Sequence, residues 1–330
     1  MLKIGMLTSG GDCQGLNAAL RGVAKTLYNE LGDKVTIYGI RDGYRGLIEG
    51  DYHEMLPEDF SDILTVGGTI LGTSRQPFKE MRKTSEDSEE TKLDKMLHTV
   101  KKAGFDCLVI LGGNGTHKTA NLLSMKGVNV VTLPKTIDND LVLTDHTPGY
   151  GSAARYVAAS VREIALDASV YQQKSVTIVE IMGRHAGWLT AASALARKEA
   201  GDNPLLIYLP EAPFELAQFN DDLKKAFEKT ANVIVCVSEG IRDHGGRFIC
   251  EYSTEAQVDT FGHKMLAGCG KILENYIRNQ FGVKVRSVEL NVNQRCSGLT
   301  VSATDLNEAE MAGRFGVQAA LDSHTGQMVA

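Results

Sequence analysis

Short apolar runs alternating with segments of helical periodicity predict an α/β protein with mostly parallel sheets. Two further observations support this. At 330 residues the chain exceeds what one core usually holds, which predicts two compact lobes. Most of the strand-like runs are apolar on both faces, as strands covered by helices on each side are. These runs, rich in Val, Ile and Leu, are 2–7, 34–40, 105–111, 128–133, 175–181, 204–209, 232–237 and 284–290. Between them, helical periodicity marks 16–31, 117–125, 186–198, 214–229 and 262–281. The charged stretch 83–92 reads as a solvated loop or helix face.

Composition narrows the function classes. Hydrophobic residues make up 43% of the chain, enough for sizeable interiors, and 34 Gly against 7 Pro suit tight loops after strands. A net charge of -6 argues against a general nucleic-acid or anionic-membrane binder, though phosphate binding needs only local cations. No apolar stretch approaches the ~20 residues of a membrane span, and no signal-peptide layout precedes the first strand. Six cysteines without a C-x-x-C pair, several in apolar runs, read as reduced, mostly buried thiols of a cytoplasmic protein.

Parallel sheets bind ligands at the carboxyl ends of their strands. The loops there read SGGDCQG, GGNGTHK, PKTIDND, MGRHAG and SEGIRD. Ser9–Gly15 meets neither the dinucleotide nor the Walker spacing, and reads equally as a phosphate loop or a tight strand-to-helix turn. Gly112-Gly113-Asn114-Gly115-Thr116 places three glycines in four positions, more than a turn requires, which points to close approach of a ligand. Thr116 is also a candidate helix cap. In Pro134–Asp140, an extended backbone would put Asp138 and Asp140 on one side, one as a general base and the other beside a metal. The same Asp-Asn-Asp is turn-prone.

PKTIDND, with GGNGT, GGTILGTSR, MGRHAGW and the opening TSGGDCQGLNAALRG, resembles the phosphofructokinase family over nearly the whole chain and in the same order. TDHTPGYGSAA and SEGIRD are similar to a bacterial branch with many pyrophosphate-dependent members. The resemblance implies two Rossmann-like three-layer lobes with mostly parallel sheets and an active site in the cleft between them. It implies a donor lobe over 1–150 completed by 294–315, and a sugar-phosphate lobe over 151–293 with 316–330. The implied reaction moves a phosphoryl group from ATP or pyrophosphate to the 1-hydroxyl of fructose 6-phosphate, with Mg2+, in a homodimer or homotetramer with shared active sites.

Carried over by position, Asp138 is the base, Thr136 positions the sugar phosphate and the transferring group, and Arg75 reaches the donor phosphates. Gly11, Tyr44, Gly112, Gly113, Asn114, Gly115, Thr116 and Lys135 fall at the donor. A packed tyrosine at a strand end is the alternative for Tyr44. Asp140, with Asn114 as a weak second ligand, falls at magnesium. Met182, Gly183, Arg184 and Glu239 match the acceptor loop, and Arg286 and Arg295 match clamps on the 6-phosphate, some of which the family takes from a neighbouring subunit. Arg21 matches an effector-site arginine and is equally an exposed helix charge.

Three departures from the family pattern stand out. Asn114 replaces the aspartate of GGDG, Val292 a histidine or tyrosine, and Ser175 an arginine whose charge Lys174 is placed to supply. An Asp in place of Gly115 accompanies pyrophosphate use in the family, whereas Gly leaves room for ATP. Lys135 is the residue typical of the pyrophosphate enzymes. Because steric exclusion is the harder filter, ATP is the expected donor. A catalytically silent sugar-phosphate sensor is the rival from another class.

Overall fold

The apolar runs become strands and the periodic segments become the helices that cover them. The computed structural model describes residues 1–85, 88–252 and 268–330. In chain order the elements are β1 (Leu2–Thr8), α1 (Gly15–Leu31), β2 (Val35–Ile40), α2 (Tyr44–Glu49), β3 (Tyr52–Met55), β4 (Thr84–Ser85), β5 (Ser88–Thr91), α3 (Lys92–Ala103), β6 (Cys107–Gly112), α4 (Asn114–Met125) and β7 (Val130–Pro134). They continue with α5 (Tyr150–Ser169), β8 (Ser175–Ile181), α6 (Trp188–Ala192), β9 (Leu206–Tyr208), α7 (Leu216–Lys229), β10 (Asn232–Ser238), α8 (Cys269–Phe281), β11 (Lys284–Glu289), α9 (Asn293–Cys296), α10 (Ala303–Leu321) and β12 (Gln327–Met328). Two compact units result: Met1–Ser152 with Arg295–Ala330, and Ala153–Gln294.

The first unit holds a six-stranded sheet in the order β12-β7-β6-β1-β2-β3. Only β3 runs antiparallel to its neighbour. β6 is buried along its whole length. Leu7, Ile40, Leu108 and Ile110 meet Leu93, Met96 and Val100 of α3 in one core, each such side chain contributing about 1.5–3 kcal/mol by leaving water. From β1 the chain moves to β2 on one side and later to β6 on the other. The strand order reverses there, which opens a ligand crevice at the carboxyl ends of β1 and β6.

The second unit holds a four-stranded parallel sheet, β11-β8-β10-β9, with β10 fully buried. Phe219 and Leu223 of α7 and Leu273 and Ile277 of α8 pack against Val233, Val235 and Val237.

Several expectations change. Residues 316–330 belong to the first unit, where α10 packs along α1 and β12 pairs with β7. That contact needs glycine: a Cβ on Gly22 would lie 2.3 Å from the Glu310 carbonyl oxygen, and one on Gly313 2.4 Å from that of Ala19. The segment 83–92 forms the β4–β5 hairpin leading into α3, with 86–87 outside the described residues. Of 186–198, only Trp188–Ala192 is α-helical, followed by a 3-10 turn at Ser193–Ala196. Of 262–281, α8 occupies Cys269–Phe281, and 262–267 lie outside the described residues. Among the described residues no helix is long and apolar enough to cross a membrane. Five of the six cysteines are buried thiols and Cys296 is partly buried.

Candidate active site

In the first unit, three strand-end loops converge. After β1, Ser9 N–H donates to the Leu111 carbonyl (2.9 Å), and Gly10 takes φ +92°, a conformation that favours glycine. Thr73 Oγ1 donates to the Gly10 carbonyl (2.8 Å). Cations then gather around Gly11. A Cβ there would lie 3.3 Å from Arg295 Nη1 and 3.8 Å from Arg75 Nη2, and Lys135 Nζ donates to the Gly11 carbonyl. Asp12, which accepts the Thr69 N–H (3.1 Å), is the nearby counter-charge, although burial raises its pKa. Lys135 is 4% exposed, and burial lowers its pKa while Cys13, Asp12 and Asp138 oppose that shift. This corner is therefore cationic, a place for an anion.

The loop after β6 leads directly into α4, which starts at Asn114. Thr116 therefore lies inside the first turn rather than capping it, and its hydroxyl donates to the Ser9 carbonyl (3.4 Å). Gly112 lies so close to Thr116 that a Cβ would meet that side chain at 2.4 Å, and Gly113 is the N-cap. A Cβ on Gly115 would meet nothing within 4 Å. Tyr44 is 1% exposed and its hydroxyl donates to the Thr116 carbonyl (2.8 Å). It is a packed core residue bracing the loop, not the donor-facing aromatic that the resemblance implied.

The third loop departs from an extended course. Asn139 takes φ +53°, so Asp138 and Asp140 flank a turn rather than alternate along a strand. Asn139 Oδ1 accepts the Thr147 N–H (2.8 Å), and the Asp138 N–H donates to Thr136 Oγ1 (3.1 Å). Asp138 is half-buried, whereas Asp140 is exposed and accepts from Asn114 Nδ2 at 3.4 Å. Asp140 and Asn114 are therefore neighbours, with the amide nitrogen rather than the amide oxygen turned to the carboxylate. Among the described residues no group of three or more His, Cys, Asp or Glu could hold a metal by itself. One carboxylate and one amide match a magnesium ion that keeps waters and takes its other ligands from phosphates.

His117, on α4, adds a testable pH effect. Burial pushes its imidazole down to about 4, whereas an unfolded-chain histidine titrates near 6.5. As pH falls between those values, the unfolded chain takes up a proton that the folded chain refuses. This contribution is fully present above pH 6.5 and declines by about 3 kcal/mol on reaching pH 4. The stability difference between wild type and His117→Gln, measured by urea unfolding, should change by about that amount between pH 7 and 4. A pH-independent difference contradicts the assignment.

In the second unit, the loops after β8 and β10 interlock. Met182 N–H donates to Gln294 Oε1 (3.2 Å) and Gly183 N–H to Glu239 Oε1 (3.2 Å), while Ser238 Oγ donates to the Gly183 carbonyl. Glu180, Met182, Glu239, Glu289, Asn291 and Gln294 line a small hollow at the carboxyl end of the sheet. Arg184 follows in the same loop.

Of the other two arginines expected with Arg184, Arg286 lies away from that loop along the same sheet. Arg286 pairs in register with Thr177, five residues before Met182, or about 16 Å along the strand. Its nearest carboxylate is Asp167 at 3.6 Å. Arg295 belongs to the first unit, beside Gly11. Lys174 lies over the Phe227 ring at 5.4 Å, and Ser175 Oγ donates to Asn232 Oδ1 (2.7 Å). Arg21 pairs with Glu310 (3.1 Å) between α1 and α10.

Sequence reading passed over Asp12, Thr147 and Asp305. Asp12 and Asp305 accept backbone N–H groups and Thr147 donates to the Thr136 carbonyl, and the only signal in the sequence was the Ser302–Asp305 spacing at the start of α10.

The phosphofructokinase family pattern matches residues 3–320. The chain is 40% identical over 319 residues to the ATP-dependent 6-phosphofructokinase of Spirochaeta thermophila, spanning 96% of this chain and 82% of that protein. It is 36% identical over 330 residues to the pyrophosphate–fructose 6-phosphate 1-phosphotransferase of Amycolatopsis methanolica, spanning 100% and 90%. The crystal structure of the pyrophosphate-dependent phosphofructokinase from Marinobacter aquaeolei superposes with a TM-score of 0.81 at 25% identity, covering 98% of this chain and 76% of that one. With fold, loops and relatives in agreement, the chain belongs to the phosphofructokinase family.

Proposed function

We propose that this chain is an ATP-dependent 6-phosphofructokinase that converts fructose 6-phosphate to fructose 1,6-bisphosphate in the cytoplasm. The observation that carries the reading is the convergence of Arg75, Arg295 and Lys135 on Gly11, in the unit that also holds Asp138. Such a corner binds and neutralises a phosphoryl group, which is most of what phosphoryl transfer asks of a protein.

In the proposed reaction Asp138 takes the proton from the sugar's 1-hydroxyl. The oxygen attacks the terminal phosphorus of ATP, the bridging P–O bond breaks, and ADP leaves with that electron pair. Thr136 fixes the Asp138 backbone through its hydroxyl. Arg75 offsets charge on the equatorial oxygens. Asp140 and Asn114 would hold Mg2+, which when bound supplies charge neutralisation on the phosphates. The Met182–Arg184 loop and Glu239 take the acceptor, with Arg184 as its local cation. Arg286, exposed far from that loop along its own sheet, suits the acceptor site of a neighbouring copy in a homodimer or homotetramer. Any grip of Arg295 on the 6-phosphate must come from the first unit.

ATP is preferred over pyrophosphate because the space at Gly115 is open. Pyrophosphate is the second reading, favoured by Lys135. Lys135, however, is buried and already donates to the Gly11 carbonyl. The test is incubation of the purified chain with fructose 6-phosphate and ATP, with and without Mg2+. Fructose 1,6-bisphosphate and ADP should form in equal amounts, and only with the metal. Absence of the bisphosphate with ATP and Mg2+ overturns the reading.

A further inference from the structure

The loop that carries Asp138 is anchored from outside by one buried carboxylate. Asp305, in the first turn of α10, is 3% exposed. Its Oδ1 accepts the Gly149 N–H (2.8 Å), and its Oδ2 accepts the Ser152 N–H (3.3 Å) and the Ser152 hydroxyl. Ser152 Oγ in turn accepts the Ser302 N–H (3.0 Å). Two helix starts, those of α5 and α10, therefore meet on this group, and both favour its negative charge against the burial that raises its pKa.

A helix cap alone would be ordinary. The difference here lies in where Gly149 leads. Gly149 forms a parallel bridge with Thr136, so both ends of the 136–149 loop are fastened together. Thr147 Oγ1 donates to the Thr136 carbonyl (2.7 Å), Thr147 N–H to Asn139 Oδ1, and the Asp138 N–H to Thr136 Oγ1. The path from Asp305 to Asp138 is thus Gly149, Thr136, Asp138, with no step longer than a hydrogen bond or one bridge. A carboxylate does not drift while its loop is clamped in this way, and misplacement by about 1 Å costs on the order of 10²-fold in rate.

We propose that Asp305 is a positioning residue for Asp138, acting through Gly149 and Thr136. The inference rests on the proposed function, so its test has one readout that needs no activity. The variants are Asp305→Asn, Asp305→Ala and Ser152→Ala of the full chain, assayed with ATP, fructose 6-phosphate and Mg2+. Asp305→Ala should lower kcat at least ~30-fold and Asp305→Asn about tenfold, with KM for both substrates within ~3-fold. Ser152→Ala keeps the Gly149 bond and should stay within ~3-fold. Hydrogen exchange should show amides between 136 and 149 opening about tenfold faster in Asp305→Asn.

A lowered melting temperature with unchanged kcat marks a helix cap only and overturns the proposal. So does raised KM at unchanged kcat, or unchanged exchange whatever the activity. Should Asp305→Ala fail to fold, the isosteric Asp305→Asn decides alone. A wild type inactive with every donor sinks the proposed function, and the exchange result still judges the anchor.

Discussion

Asp138→Asn is expected to lower kcat by about three orders of magnitude while KM for ATP changes less than ~3-fold. Asparagine keeps the shape of the side chain and the backbone N–H bond to Thr136 Oγ1 (3.1 Å). It removes only the capacity to take a proton. A positioned base contributes about 10²–10⁴-fold, and its loss appears in kcat rather than in donor binding. Asp140→Asn supplies the contrast. It weakens the metal side of the site, so added Mg2+ should recover part of its activity, whereas Asp138→Asn should not respond to metal. A variant at 138 that keeps most of its rate removes Asp138 from the role.

Gly115→Asp should abolish ATP use, with a loss of at least ~10³-fold in kcat/KM. No side-chain packing is disturbed, since a Cβ there meets nothing within 4 Å. The position is the second residue of α4, where helix propensity and the N-terminal dipole both favour aspartate over glycine. Thermal stability should therefore hold or rise, so that lost activity reports on the donor rather than on folding. The carboxylate would stand in the open space beside the loop and repel an α-phosphate there. Lys135 is already present, so the variant is the one in which pyrophosphate turnover should appear or increase. Unchanged ATP turnover would remove position 115 from donor choice.

Lys135→Gly is expected to lower turnover with ATP as well as with pyrophosphate. The ammonium donates to the Gly11 carbonyl from a buried position, so its loss leaves that loop without a support.

The sheets were legible in the sequence because β1, β6, β8 and β10 are apolar on both faces. α5 was not, since it opens on PGYGS, which reads as a turn. α10 was obscured by Gly313 and Gly316, whose Cβ positions fall 2.4 Å from the Ala19 carbonyl and 2.6 Å from a Leu133 methyl. They look like breakers in one dimension and are close contacts in three. The site shows the same division. Glycine-rich loops after apolar strands marked the segments of Gly11 and Gly115, and two carboxylates after another apolar strand marked Asp138. The left-handed turn at Asn139, the burial of Tyr44 and the placement of Arg286 low on β11 depend on contacts distant in sequence. No local pattern encodes them.

The most direct test of the account is the initial rate of fructose 1,6-bisphosphate formation by the unmodified chain, with ATP and with pyrophosphate in parallel, at saturating fructose 6-phosphate and Mg2+. The open space at Gly115 predicts a kcat/KM for ATP at least ~100-fold above that for pyrophosphate, or about 2.7 kcal/mol of transition-state preference. Turnover with pyrophosphate and none with ATP would contradict it, and would make Lys135 rather than position 115 the residue that selects the donor.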